Sequence, residues 1–191
     1  FELIFKTNDD LRQDMLALQA FSIMDKIWCN AGLDLCMTRY AVMALGSNYG
    51  IIEIVQNCET MAYIQKLYGS STLSAAFNEK CLKQWLQEQN PDETEFKAAV
   101  NNFVRSCAFY CVATYILGVG DRHNDNILLT KSGQMFHIDF GKILGNVQRW
   151  KGFSRESAPF VLTPEYAYVM GGKGAPDFEK FTELCCDAYC L

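Results

Sequence analysis

The fold is decided by two short stretches, Gly118-Val-Gly-Asp-Arg-His-Asn-Asp-Asn126 and His137-Ile-Asp-Phe-Gly141. The first places an acid, an imidazole and an amide on one loop, and the second places an acid beside a glycine. Asn126 and Asp139 carry oxygen ligands of the kind that magnesium, a hard cation, prefers. Asp121 lies on the same loop, where its carboxylate can orient or deprotonate a hydroxyl group. The two stretches therefore predict a metal-assisted active site.

A β-hairpin is predicted between these stretches. Ile127–Thr130 and residues 134–138 favour strands, and Lys131-Ser-Gly133 is a turn sequence. Because a hairpin brings its two ends together, we expect Asn126 and Asp139 to lie side by side and to share a metal ion.

The spacing of the polar groups indicates phosphoryl transfer from ATP. Asp121 and Asn126 stand five residues apart, as the base and the metal-binding amide do in the kinase pattern H-R-D-x-x-x-x-N. Asp139-Phe-Gly141 reproduces the D-F-G element, whose aspartate holds magnesium on the phosphates of ATP. The order within the loop is inverted, however, because Asp121 precedes His123. The inversion separates this chain from an ordinary protein kinase.

Length and composition favour one globular domain with a sizeable core. Half of the 191 residues are apolar and 13% are aromatic, which excludes a disordered chain. A net charge of −5 argues against a protein that coats nucleic acid. No apolar run approaches the ~20 residues of a membrane-spanning helix. The chain starts at Phe1 and ends inside an apolar helical pattern, so we interpret it as a fragment of a longer chain.

The nine cysteines are an odd number, and none of them forms a C-x-x-C pair. Cys107 and Cys111 lie one turn apart on an apolar helical pattern. We expect reduced, buried thiols in a cytosolic protein, in preference to a disulfide or zinc framework.

Hydrophobic periodicity predicts a few strands followed by a mainly helical body. The expected strands are residues 2–6, one or two within 35–45, and 51–55; the expected helices are 11–28, 60–67, 73–89, 92–117, a short one from Pro164, and 177–191. Asn8-Asp9-Asp10 supplies acceptors for the start of the first helix. An irregular stretch is expected from Gly141 to Thr163.

Several further stretches, taken with the first two, resemble the phosphoinositide 3-kinase/4-kinase catalytic domain over nearly the whole chain. The family is indicated by Lys6-Thr-Asn-Asp-Asp-Leu-Arg-Gln-Asp14 together with the two opening stretches. The 3-kinases are indicated by Arg105-Ser-Cys-Ala108, Tyr110-Cys-Val-Ala-Thr114 and Pro159-Phe-Val-Leu-Thr163. Class II enzymes are indicated by His123-Asn-Asp-Asn126, Ala158-Pro-Phe160 and Glu183-Leu-Cys-Cys-Asp-Ala-Tyr189.

The resemblance implies an α+β, protein-kinase-like two-lobe fold. Residues 1–191 would be a partial catalytic domain, with the last N-lobe strands and the hinge in 1–56 and most of the mainly helical C-lobe in 57–191. The catalytic loop would span about 118–126 and the activation loop about 139–163. The family's phosphate-covering loop lies upstream of Lys6 and its C-terminal helices extend further, which argues against activity of the fragment alone.

The implied activity is transfer of the ATP γ-phosphate to the 3-hydroxyl of the inositol ring of phosphatidylinositol or its 4-phosphate, in lipid signalling and membrane trafficking. The implied cofactors are ATP and Mg²⁺, with Mn²⁺ or Ca²⁺ as substitutes. The implied partners are a phosphoinositide lipid in a membrane surface and regulatory domains of the parent chain, with no nucleic acid. The enzyme would be cytoplasmic and peripherally associated with membranes.

The resemblance also assigns roles to individual residues. Asp121 and His123 would serve the inositol hydroxyl, and Asn126 and Asp139 would bind metal. The nucleotide pocket would be formed by Lys6 at the ATP phosphates, Asp14 and Tyr40 in its inner part, the backbone of the hinge residues Glu53 and Val55 at adenine, and Ile138 as part of its floor.

The activation loop is the segment that reads the lipid headgroup in this family. Its candidate headgroup cations are Lys142, Arg149, Lys151 and Arg155. Family members that use the 4,5-bisphosphate carry a dense lysine cluster early in this loop, whereas this chain has few cations there. We therefore predict phosphatidylinositol and its 4-phosphate as substrates; the alternative is that these cations form a solvated face.

Two other functions compete with a lipid kinase. A protein serine/threonine kinase of the phosphoinositide-kinase-related family shares the D-L-R-Q-D and G-D-R-H motifs, but Asn124-Asp125 and the stretch Pro159-Phe-Val-Leu-Thr163 favour the lipid kinase. An inactive scaffold would be expected to lose key polar residues, and all four of Lys6, Asp121, Asn126 and Asp139 are present.

Some of these residues also have structural alternatives. Asp121 could cap the loop after the helix, His123 could be a structural histidine, and Lys6 could be a solvated strand lysine. His137 is better explained by packing or hydrogen bonding than by catalysis.

Overall fold

The computed structural model describes residues 2–68, 78–144 and 158–191, together with the backbone of 149–150 and 153–154. Its first sheet contains β1 (Leu3–Thr7), β2 (Val42–Gly46) and β3 (Tyr49–Glu53). The strands are antiparallel in the order β1-β3-β2, and Lys6 faces Gly50 in the register. The predicted strand around Lys6 is therefore confirmed.

Helix α1 (Arg12–Asn30) connects β1 to β2. It buries Ala17, Leu18, Phe21, Asp25 and Trp28, which recur at helical spacing on one face. The predicted side-chain acceptor at its start is confirmed, although Leu11 occupies the N-cap position and makes no side-chain capping bond. Instead, Asp10 accepts a hydrogen bond from the backbone N–H of Arg12 at 3.1 Å.

Of the one or two strands predicted within residues 35–45, the structure contains one, β2, and residues 35–41 before it are not a strand. Cys36 has a left-handed backbone with φ of 54°, and its N–H donates to the Asp34 carboxylate at 2.9 Å. Arg105 then holds Asp34 with a 2.5 Å ion pair. These side-chain contacts turn the chain where apolar composition alone predicts extension.

The second sheet confirms the predicted hairpin and adds a strand. β5 (Ile127–Thr130) pairs with β6 (Met135–His137), and β4 (Cys58–Thr60) pairs with the other edge of β5. The three-residue β4 is too short to show a period of two, so hydrophobic periodicity does not predict it. All pairings are antiparallel.

Helix α4 (Glu93–Leu117) runs through the core. Asp92 caps its start by accepting from the N–H groups of Thr94 at 2.8 Å and Glu95 at 3.1 Å, so the helix predicted over 92–117 is confirmed. Phe103, Ala108 and Phe109 on this helix are fully buried. Gly118 ends the helix in the left-handed conformation, with φ of 55°, and so aims the following loop.

The described residues form four further helices. They are α2 (Met61–Tyr68), α3 (Cys81–Gln89), α5 (Pro164–Val169) and α6 (Pro176–Cys190), of which α6 packs most extensively against α4. The predicted helix 73–89 is described only from residue 78, and regular structure begins at Cys81. The stretch expected to be irregular contains a short ladder between β7 (Arg149–Trp150) and β8 (Phe153–Ser154).

The mixture of helices and antiparallel sheets confirms the α+β class. The division into an N-lobe, a hinge and a C-lobe stays a prediction. Over the described residues, none of the helices has both the length and the apolar character needed to cross a bilayer.

The nine cysteines are free thiols, but their expected burial holds only in part. Cys81, Cys107 and Cys111 are buried in the core. Cys29, Cys186 and Cys190 are exposed helix residues, and the intermediate three are Cys36 in a loop, Cys58 at the start of β4 and Cys185 on α6.

Candidate active site

A cleft of about 490 Å³ is bordered by both three-stranded sheets. It is lined by Ile4, Lys6, Asp14, Tyr40, Val42, Ile52, Glu53, Ile54, Val55, Cys58, Asn126, Leu128, Phe136, Ile138 and Asp139. All six predicted nucleotide residues and both predicted metal ligands are among them. The structure thus brings together residues that are up to 133 positions apart in the chain (Lys6 to Asp139).

Charged groups occupy one part of the cleft. The ammonium group of Lys6 contacts the Asp9 carboxylate at 2.5 Å. Partial burial lowers the pKa of Lys6, but the bond to Asp9 and the charges of Asp139 and Asp14 outweigh it and leave this pKa raised. Burial raises the pKa of Asp14, against the effect of the Phe140 N–H. Lys6 is therefore a cationic group in the same cleft as the carboxylates of Asp14 and Asp139.

Apolar side chains form the other walls of the cleft, and Val55 contacts Cys58 there. The backbone N–H of Glu53 donates to the carbonyl of Ala41 at 2.8 Å. The carbonyl of Val55 accepts from the Cys58 thiol at 3.1 Å. Among the described residues, the N–H of Val55 has no hydrogen-bond partner. A donor thus remains free at the apolar edge of the cleft.

Two internal hydrogen bonds hold the loop after α4 together. The N–H of Asn126 donates to the carbonyl of His123 at 2.9 Å, and the Asn126 side-chain amide donates to the carbonyl of Asp121 at 3.2 Å. Since the amide nitrogen of Asn126 is used inside the loop, its oxygen is left as the group for a cation.

The hairpin joins this loop to the D-F-G segment as predicted. The N–H of Ile138 donates to the carbonyl of Asn126 at 3.0 Å, and both Asn126 and Asp139 line the cleft. Asp121 and Asp139 each adopt the left-handed conformation, with φ of 57° and 59°. Aspartate tolerates this region better than most residues, and such backbones cluster at functional sites.

Arg122 holds both aspartate backbones and was missed by the sequence reasoning. Its guanidinium donates to the carbonyls of Gly120 at 3.0 Å and Ile138 at 2.7 Å, and also to the carbonyl of Asp139. Burial lowers the pKa of Arg122, although the charges of Asp139 and Asp121 oppose this effect. The sequence feature that could have identified Arg122 is its position between Asp121 and His123, two candidate catalytic residues.

The phenylalanine of the D-F-G segment is fixed from α1. The N–H of Phe140 donates to the Asp14 carboxylate at 3.0 Å, and its carbonyl accepts from the Gln13 amide at 2.9 Å. The buried Phe140 ring meets Phe21 edge to face, with centroids 5.1 Å apart. The sequence did not single out Gln13, because its partner lies 127 residues away.

His137 packs in the core, which agrees with the interpretation that it is not a catalyst. Its ring is 2% exposed and stacks on Tyr110 with centroids 4.6 Å apart. Burial, with a smaller effect of Arg122, holds the pKa of His137 well below its usual range. The Tyr40 hydroxyl donates to the His137 carbonyl at 3.0 Å, which fixes Tyr40 at the cleft wall.

His123 lies outside the lining of the cleft, on the outer side of the loop. Its side chain is 51% exposed, and its Nδ1 lies 3.6 Å from the Asp125 carboxylate. Asp121 is also absent from the cleft lining but holds the neighbouring backbone in place through its carbonyl. The roles of both residues toward a hydroxyl group stay predictions.

The predicted headgroup residues are only partly described. Lys142 is half-buried, and its carbonyl accepts from the N–H of Gly120 at 2.8 Å, which ties the two loops together. Only the backbone of Arg149 is described, and Lys151 and Arg155 lie outside the described residues.

The polar groups of the cleft fit a magnesium ion better than a zinc ion. Over the described part of the chain, no three His, Cys, Asp or Glu side chains are grouped to hold a metal. Asn126 and Asp139 offer one amide and one carboxylate oxygen. Magnesium characteristically takes one or two protein oxygens and completes its shell with water and substrate phosphates.

The chain matches the sequence profile of the family described as phosphatidylinositol 3- and 4-kinase over residues 1–191. It is 52% identical to Phosphatidylinositol 3-kinase 1 of Dictyostelium discoideum over 98% of its length. It is 50% identical to Phosphatidylinositol 4-phosphate 3-kinase C2 domain-containing subunit alpha of Pongo abelii over 99% of its length. The human beta subunit of the same name is 48% identical over 99% of this chain.

The chain spans only 11–12% of the length of these relatives. The family match spans residues 1–191, a range that contains every residue lining the cleft. The expectation from the motifs is confirmed: this chain belongs to the phosphatidylinositol 3- and 4-kinase family.

Proposed function

We propose that the chain is the nucleotide- and acceptor-binding part of a lipid kinase that phosphorylates the 3-hydroxyl of the inositol ring. One observation carries this proposal: Asn126 and Asp139 meet in a cleft that also contains Lys6. A cation, two oxygen ligands and an apolar slot are what an ATP site needs. The names of the relatives support a lipid as the acceptor.

Adenine fits the apolar part of the cleft. The free N–H of Val55 would donate to the ring, and the Glu53 carbonyl would accept from the exocyclic amine, because the Glu53 N–H is already bonded to Ala41. Ile138 would cover one face of the ring. Lys6 would neutralise phosphate charge, and Asp14 and Tyr40 would close the inner wall.

In the transfer step, the inositol hydroxyl oxygen forms a bond to the γ-phosphorus. The bond from that phosphorus to the β,γ-bridging oxygen breaks, and ADP leaves with the electron pair. We assign acceptance or orientation of the hydroxyl proton to Asp121, assisted by His123. A Mg²⁺ ion held by Asn126 and Asp139, or Mn²⁺ or Ca²⁺ in its place, would neutralise phosphate charge when bound.

The substrate assignment rests on the few cations of residues 142–155. Each phosphate on the headgroup needs charge-assisted hydrogen bonds, and Lys142, Arg149, Lys151 and Arg155 are the available donors. This number favours phosphatidylinositol and its 4-phosphate over the 4,5-bisphosphate. Two of the relatives are named for the 4-phosphate substrate.

We infer peripheral binding to a membrane surface. Cations near an anionic bilayer contribute ~1 kcal/mol each, so the three at positions 149, 151 and 155 give ~3 kcal/mol. This is too little for stable anchoring, so recruitment would depend on other domains of the parent protein.

The two sheets on either side of the cleft are consistent with a kinase-like pair of lobes joined near Val55. The C2-domain-containing relatives favour class II.

The experiment uses the full-length protein with labelled ATP and Mg²⁺. Separate reactions would offer vesicles of phosphatidylinositol, its 4-phosphate or its 4,5-bisphosphate, and a mixture of protein substrates. We expect labelled lipid in the first two reactions. Labelled protein with no labelled lipid would favour the related protein kinases, and preference for the bisphosphate would refute the substrate assignment.

A further inference from the structure

A chain of three side chains connects the candidate catalytic loop to helix α5. The Asn124 amide nitrogen donates to the Gln65 side-chain oxygen at 2.7 Å. The Gln65 amide nitrogen donates to the Glu165 carboxylate at 3.0 Å. All three groups are half-buried, so water competes with these bonds less than on an open surface.

The chemistry of Glu165 fixes the direction of both bonds. An ionised carboxylate only accepts, so Gln65 must turn its NH₂ group toward Glu165 and its oxygen toward Asn124. Asn124 must then present its own NH₂ group to Gln65. The orientation of the loop amide is thus set by a carboxylate that lies 41 residues further along the chain.

Two of the three residues lie next to segments that the proposed function places at the acceptor. Asn124 directly follows His123, and its carbonyl also accepts from the N–H of Ala62 on α2 at 2.9 Å. Glu165 is in the first turn of α5, which begins just after the segment proposed to read the headgroup. Gln65 on α2 is the only residue that contacts both of these side chains in the bonds described here.

We infer that Gln65 is a positioning residue that sets the catalytic loop relative to the end of the activation loop, so that the acceptor hydroxyl and the headgroup are placed together. This inference rests on the proposed lipid-kinase function and adds a residue to it. Gln65 does not line the nucleotide cleft. Its effect should therefore fall on the lipid and not on ATP.

The direction of the bonds supplies a sharp test in the full-length protein. In Gln65→Glu, two carboxylates would face each other where a donor met an acceptor. In Glu165→Gln, the glutamine oxygen can still accept from Gln65. In the exchange variant Gln65→Glu/Glu165→Gln, the new glutamine donates to the new glutamate, the Asn124 bond is kept, and the net charge is that of the wild type.

We expect kcat/KM for phosphatidylinositol vesicles to fall about tenfold in Gln65→Glu, because a half-buried donor–acceptor pair becomes a pair of like charges. Glu165→Gln and the exchange variant should stay within about threefold of the wild type, which is the pattern of a direct pairwise coupling. KM for ATP should not change. The control Gln87→Glu adds the same charge at an exposed position of α3 and should behave as the wild type.

The outcomes separate this inference from the function on which it rests. A wild type that does not phosphorylate the lipid overturns the proposed function itself. An active wild type with an unimpaired Gln65→Glu, or an exchange variant that stays impaired, overturns the inference. If Gln65→Glu does not fold, Gln65→Met removes both bonds without adding charge; it must then lower kcat/KM for the lipid while KM for ATP is unchanged, and an unchanged value overturns the inference.

Discussion

At the scale of single residues, Arg122 explains how two aspartates keep an unfavourable backbone. Asp121 and Asp139 both have positive φ, and the guanidinium of Arg122 lies between their loops with bonds to three carbonyls. A planar group with five donors can serve several carbonyls at once, which a lysine ammonium cannot do in the same geometry. The arginine therefore positions both acids without contacting either carboxylate in these bonds.

Replacing Arg122 tests this explanation. In Arg122→Lys we expect kcat for lipid phosphorylation to fall about tenfold to a hundredfold, because a small displacement of the reacting groups is enough for such a loss. Loss of the donor to the part-buried carbonyls of Gly120 and Ile138 should also lower the free energy of unfolding, by ~1 kcal/mol. Steady-state kinetics and thermal unfolding measure the two effects. Arg12→Lys, at a side chain that is 68% exposed, is the control, and equal kcat in both variants would contradict the assignment.

The position of His123 leads to a second prediction at this scale. His123→Ala should lower turnover about a hundredfold, as loss of a general acid–base group does. The half-exposed His123 side chain lies outside the cleft that would hold ATP. ATP affinity should be almost unchanged. Direct nucleotide-binding measurements separate the two quantities. A large loss of ATP binding would show that His123 acts through the structure of the loop.

At the scale of elements, helix α4 aims the catalytic loop, and its start depends on Asp92. Hydrogen bonds from the N–H groups of Glu95 and Thr94 hold the pKa of Asp92 below its ordinary value. A lowered pKa in the folded state means that this capping contribution is complete above the ordinary aspartate value of about 3.9 and is lost as pH falls through the lowered value.

The expected consequence is local and depends on pH. In Asp92→Ala, the amides of Thr94 and Glu95 should exchange with solvent faster than in the wild type at neutral pH. The difference should shrink in acid, once the wild-type carboxyl is protonated. Hydrogen exchange resolved to this segment is the measurement, with Asp92→Asn, which retains an acceptor, as the control. Equal exchange in wild type and Asp92→Ala at neutral pH would contradict the cap.

The helices and strands differ in how well the sequence predicts them. Helix α4 and the β5–β6 hairpin follow from caps, periodicity and turn residues that lie close in the chain. Strand β4 and the turned segment before β2 depend on partners far away, such as Asn57 meeting Lys131 and Arg105 meeting Asp34. Local patterns carry no information about such partners, so both were missed.

At the scale of the whole molecule, contacts between distant parts of the chain build the cleft. The Trp28 indole N–H donates to the Ala188 carbonyl at 2.9 Å, and this bond ties α1 to α6. Helix α1 in turn holds Phe140 through Gln13 and Asp14. The position of Asp139 thus depends on the packing of helices from both ends of the chain.

The candidate site was predicted better than the fold around it. Motifs and family resemblance identified the polar residues of the cleft, because their chemistry restricts which residue types can serve. The apolar walls, including Cys58, Leu128 and Phe136, were not predicted, since an apolar residue in a strand looks the same in a core as in a pocket. Arg122 and Gln13 were missed because their roles consist of bonds to distant backbone groups.

The central claim is that this cleft directs the γ-phosphate of ATP to the inositol 3-hydroxyl by means of Asn126 and Asp139. The most direct measurement is the position and rate of phosphate incorporation into phosphatidylinositol by the full-length protein and its Asp139→Asn variant. We expect the 3-phosphate as product, and a loss of turnover of at least about a thousandfold, or ~4 kcal/mol, in the variant. Phosphate at another ring position, or near-normal turnover in Asp139→Asn, would contradict it.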